Sequence, residues 1–129
     1  MNEIPNSKKV YDLEDRTYTF AKDAALFCKK IPRTVSNIEY GKQLIRATAS
    51  VGANYIEANE SLSKKDFSFR IKICIKESKE SGYWLRLIIE TNDESFREEG
   101  MSLFDESVEL KKIFCSILVE ADPSKKLDK

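Results

Sequence analysis

The sequence predicts an all-α fold, an antiparallel up-down-up-down four-helix bundle. Three observations carry that expectation. Four segments repeat apolar residues at the three- and four-residue spacings of an α-helix. Pro32, the Ser61–Ser63 turn and a polar Gly-containing stretch separate them. A chain of 129 residues with 41% hydrophobic content suits a single domain, 1–129, around one core. Helices joined by mostly short connections pack most simply as antiparallel neighbours. The ordered part is expected at about residues 11–120, with flexible tails at 1–10 and 122–129.

The first helix is expected at Asp12–Lys30. Leu13, Thr17, Phe20, Ala24, Phe27, Cys28 and Ile31 share one face, Lys29 and Lys30 suit the C-terminal dipole, and Pro32 stops it. The second is expected at Asn37–Ser61. Ser36-Asn37-Ile38-Glu39 reads as a capping box. Its apolar stripe is Ile38, Leu44, Ile45, Thr48, Val51, Gly52, Tyr55 and Ile56, and Gly52 implies close approach of a neighbouring helix.

The third helix, Lys64–Asn92, opens on the cap-like Ser63-Lys64-Lys65-Asp66. Phe67, Phe69, Ile71, Ile73 and Ile75 alternate as a strand would. Over the full segment the helical period wins, because no turn signal interrupts residues 64–91 and strands of that length are rare. Phe67, Ile71, Cys74, Ile75, Ser78, Gly82, Leu85 and Ile89 form one stripe; Phe69, Ile73, Trp84 and Leu87 form a second on the opposite side. A bundle helix needs one apolar face. The second stripe is therefore expected at an oligomer interface made with another copy of the chain. Asn92–Leu103 is expected as a polar connection, and a fourth helix at Phe104–Glu120 begins from a Ser102 cap and ends before Pro123.

Composition excludes more than it assigns. Lys+Arg and Asp+Glu are both 22, so the net charge is zero and a strongly basic polyanion binder is not indicated. The absence of His removes His-based triads, imidazole ligands and the Glu-x-x-His di-iron design. Carboxylate pairs Glu57/Glu60, Glu77/Glu80 and Glu90/Asp93 then read as solvated charge, and no metal or other cofactor is expected. Ser61-Leu62-Ser63-Lys64 matches S-x-x-K but lacks the partner motifs of such hydrolases, and Ser63 is better explained as a cap. The three cysteines suit reduced thiols in a cytoplasmic protein. Neither a signal peptide nor a membrane span is expected.

Two surface patterns remain. Lys65, Lys72, Lys76, Lys79 and Arg86 share one side of the third helix with Tyr83, a plausible contact for phosphates and an unstacked base. Its bland counterpart is an ordinary solvated face. Arg46, Ser50, Asn54 and Glu57 share a polar face of the second helix beside Ala47 and Ala53; Ser50, Asn54 and Glu57 are expected in a buried polar network.

Three stretches resemble a known family: Ser50–Ala58 (SVGANYIEA), Ser63–Phe67 (SKKDF) and Ile75–Leu87 (IKESKESGYWLRL). They look like the bacterial four helix bundle proteins first described from intervening sequences of 23S ribosomal RNA. The resemblance covers about residues 11–119, and Ala58 departs from the Gly common there. It implies a cytoplasmic antiparallel bundle, a homopentameric ring and no established catalytic residues. A distant likeness to the accessory variability determinant of diversity-generating retroelements implies partnership with RNA or a nucleic-acid-handling protein. The expectation is a non-enzymatic oligomer that binds nucleic acid; the alternative is a protein–protein interaction scaffold.

Overall fold

The computed structural model describes residues 12–122. Residues 1–11 and 123–129, which hold nearly all of the two expected flexible tails, lie outside the described residues. Four helices run in chain order: α1 (Leu13–Lys30), α2 (Val35–Asn59), α3 (Lys64–Glu90) and α4 (Arg97–Ala121). A single 3₁₀ turn, Glu94–Phe96, precedes α4. No strand occurs among the described residues.

Cross-helix contacts fix the up-down-up-down order. Gly41 approaches Cys28 and Gly52 approaches Thr17, so α1 and α2 are antiparallel. Arg70 bonds Asn54, and the Cys74 thiol lies 3.4 Å from the Val51 carbonyl, which pairs α2 with α3. Gly82 meets Ser107 and Gly100 meets Ile89, which pairs α3 with α4. Helix α3 makes the most extensive contacts, flanked by α2 and α4; the α1–α4 seam is thin. Phe20, Phe27, Leu44, Val51, Ile71, Leu85, Ile88, Leu110, Phe114 and Leu118 form the dry centre.

Four details differ from expectation. Helix α4 begins at Arg97, seven residues earlier than expected, so most of the supposed 92–103 connection is helical. Glu98 and Glu99 occupy its first turn, where the dipole favours anions. Gly100 is no loop signal: a Cβ there would stand 2.6 Å from Ile89 Cγ1, so the glycine lets α3 and α4 meet closely. Second, α2 starts at Val35 with Thr34 as its cap, the Thr34 hydroxyl accepting from the Asn37 N–H at 3.1 Å, and Ser36 lies inside the helix. Third, the buried face of α2 is rotated, with Asn37, Ala47 and Ala58 inward and Ile45 and Ile56 exposed. Fourth, α2 ends at Asn59 and α3 at Glu90, each two residues early.

Ser63 caps α3 as expected, its hydroxyl accepting from the Asp66 N–H at 3.0 Å. At the other end of α3, Asn37 and Asn92 exchange amide hydrogen bonds, each 2.8 Å long. The two amides also donate to Pro32 and Ile88 carbonyls, tying the start of α2 to the end of α3.

Candidate nucleic-acid interface

The 27-residue α3 carries the candidate site. At 100° per residue its inward face fixes its outward one: Ile71, Cys74, Ser78, Leu85 and Ile89 are buried, and the basic side chains turn to solvent. Lys65, Lys72, Lys76, Lys79, Tyr83 and Arg86 are all exposed. Counter-charges are loose: Lys76 Nζ lies 3.9 Å from Glu77 Oε2, and Arg86 lies 3.9 Å from Glu90. The exposed Arg86–Glu90 pair neutralises little at that distance, whereas the partner of Lys76 is a buried carboxylate.

Two open grooves run beside these lysines, between α3 and the C-terminal end of α4. One, of about 520 Å³, is lined by Lys64, Lys65, Ser68, Phe69, Lys72 and Asp122. The other, of about 390 Å³, is lined by Lys72, Ile75, Lys76, Lys79, Glu80 and Leu118. Lys72 belongs to both, so four of the six sequence-expected residues line adjoining depressions with apolar walls. Tyr83 and Arg86 lie further along α3, outside both.

The second apolar stripe is divided. Phe69 is 56% exposed, whereas Ile73 and Leu87 are half-buried. Trp84 packs within the chain, its ring centroid 6.2 Å from Tyr40 and 5.1 Å from Tyr83. The polar cluster on α2 is half-buried rather than buried. Asn54 donates to the Ser50 carbonyl at 2.9 Å and accepts from Arg70 at 3.0 Å; the Glu57 carboxylate is exposed and stands outside the network. Arg70 is the member sequence reasoning missed. It also lies 5.9 Å from the Phe69 ring centroid, close enough for a cation–π contact.

Glu77, expected as solvated charge, is instead buried. It is 6% exposed, and its Oε1 has no hydrogen-bond partner. It sits two turns from Arg70 on the side of α3 that faces α2. The other carboxylates of the expected pairs, Glu57, Glu60, Glu90 and Asp93, are exposed, and Glu80 is half-buried. No group of three or more metal-ligating side chains gathers among the described residues. Asp93 is held below the ordinary carboxylate range by the Ser95 backbone N–H that it accepts. Cys28, Cys74 and Cys115 are free thiols, and burial pushes Cys74 up to about 12.

A groove of about 490 Å³ on the opposite seam, between α1 and α4, has the reverse sign: Asp12, Asp15 and Asp23 line it. The Glu106 carboxylate there is taken by Arg16, with bonds of 2.7 and 2.9 Å.

Fold and surface together define a small all-helical bundle protein with an acidic seam on one side and a lysine-lined helix on another. The chain belongs to the 23S rRNA-intervening sequence protein family, whose model matches residues 9–116. It is similar to a protein of unknown function from the S23 ribosomal protein family of Bacteroides thetaiotaomicron VPI-5482, solved as a crystal structure. The two are 32% identical with a TM-score of 0.71, over 81% of this chain and 96% of that one. The comparison with curated proteins gives no match. No helix among the described residues is long and apolar enough to cross a membrane.

Proposed function

We propose that the protein is a non-enzymatic nucleic-acid-binding bundle that holds a phosphate backbone against α3. The carrying observation is the continuity of the two grooves through Lys72, with Lys65, Lys76 and Lys79 beside it. Local positive charge of this kind acts on a polyanion although the whole chain is neutral. Membership of a family named for an intervening sequence of ribosomal RNA supports RNA as the first ligand to test. A cytoplasmic setting fits the three free thiols.

Changing Lys72, Lys76 and Lys79 together to Glu should abolish RNA retention in a mobility-shift assay and leave the molecular mass by light scattering unchanged. The wild type should lose affinity steeply as salt rises. Absence of wild-type binding at low salt refutes the proposal.

A second proposal is self-association, with a homopentamer as the expected ring. Half-buried Ile73 and Leu87, on the side of α3 turned away from its buried stripe, favour a protein contact there. If the chain is only an interaction scaffold, Leu87→Ser should lower the mass in solution and the lysine variants should not alter partner capture.

A further inference from the structure

Ser68 lines the larger groove. It is 7% exposed, and its hydroxyl makes no hydrogen bond among the described residues. A hydroxyl this deep that bonds nothing in the protein is left to water or to a ligand. The groove it lines also carries Lys64, Lys65 and Lys72, and Asp122 is the one carboxylate among its described lining residues. A hydroxyl donor among three ammonium groups matches an oxyanion with several acceptor oxygens. The first turns of α3 add the positive end of its dipole.

Phe69 stands next to this pocket with an exposed ring. Arg70 lies against that ring and is itself anchored on Asn54, so the aromatic platform is positioned before any ligand arrives. Tyr83, 58% exposed, lies fourteen residues further along α3, which is about 21 Å at 1.5 Å per residue. Duplexes keep their bases stacked inside and offer neither ring a face. An unpaired strand offers both rings bases while its phosphates follow the lysines between them.

We infer that the Ser68 groove seats a backbone phosphate of a single-stranded nucleic acid, with the adjoining base stacked on Phe69. This rests on the nucleic-acid proposal above and narrows it to unpaired strands. It also moves Phe69 from the expected assembly contact to the ligand.

Fluorescence anisotropy of a short labelled oligouridine, alone and as its duplex with oligoadenosine, tests the inference on the full chain. Ser68→Ala and Phe69→Ala should each weaken single-strand binding about fivefold or more, with Phe69→Tyr restoring it and duplex affinity changing less than about twofold. Phe69 is exposed, so its variants keep the fold and carry the test even if Ser68→Ala lowers the melting temperature. Unchanged oligouridine binding in both alanine variants, alongside loss in the Lys72/Lys76/Lys79 triple variant, overturns this inference and leaves the broader proposal standing. No wild-type binding removes both. Equal losses on duplex, displacement of oligouridine by polyglutamate at equal charge, or a lower mass for Phe69→Ala than for wild type each overturn it.

Discussion

Two buried glycines make opposite demands at the residue scale. A Cβ at Gly41 would stand 3.5 Å from the Cys28 sulfur, an ordinary contact, whereas at Gly100 it would stand 2.6 Å from Ile89 and 3.2 Å from Phe27. Replacing a helical glycine by alanine gains about 1 kcal/mol of intrinsic propensity. Gly41→Ala should therefore raise stability by about that amount in urea unfolding. Gly100→Ala should show a net loss of about 1–2 kcal/mol, because overpacking exceeds the propensity gain. Equal signs for the two variants would show that Ile89 yields freely. Only the sequence position of these glycines was visible beforehand. Gly100 was mistaken for loop punctuation because nothing in NDESFREEGMSL shows that Ile89 and Phe27 close over it.

Helix existence and order were legible at the element scale because apolar spacing sets them. Helix ends were less so, because several nearby polar residues compete to cap them. Ser63, the last hydroxyl before the apolar run of α3, was read correctly, whereas the last one before that of α2, Ser36, lies inside the helix and Thr34 caps it, with Asn37 held by Pro32 and Asn92. Thr34→Ala should cost about 1 kcal/mol in thermal unfolding, and Ser36→Ala less than about 0.5. A reversed order would return the cap to Ser36. The outward rotation of α2 escaped sequence reasoning because Ile45 and Ile56 resemble core residues; packing with α3 instead brings the smaller Ala47 and Ala58 inward. The basic face of α3 was legible, since the buried stripe dictates it. Ser68 and Arg70 were not, since their roles depend on α4 and α2.

The whole molecule is held unevenly. Helix α3 is flanked on both sides, but α1 leans chiefly on α2. Among the described residues its ion pairs with α4 are Arg16–Glu106 and Lys30–Glu99. Lys30–Glu99 is well exposed and contributes no more than about 1 kcal/mol; the bidentate Arg16–Glu106 pair is the stronger of the two, and both weaken with salt. Native hydrogen exchange should show α1 as the least protected helix, with its protection falling further at high ionic strength while α3 is unaffected. Simultaneous exchange of α1 and α3 at every salt concentration would show a single cooperative unit instead.

Arg16 and Glu106 are 90 positions apart in the chain. During synthesis, at about 5–20 residues per second, the arginine emerges on the order of 5–20 seconds before its carboxylate exists. Until α4 is made, Phe27 and Ile89 lack the helix backbone at Gly100 that packs against them in the finished bundle. A ribosome that stalls within the last quarter of the message would hold the nascent protein in its stickiest form.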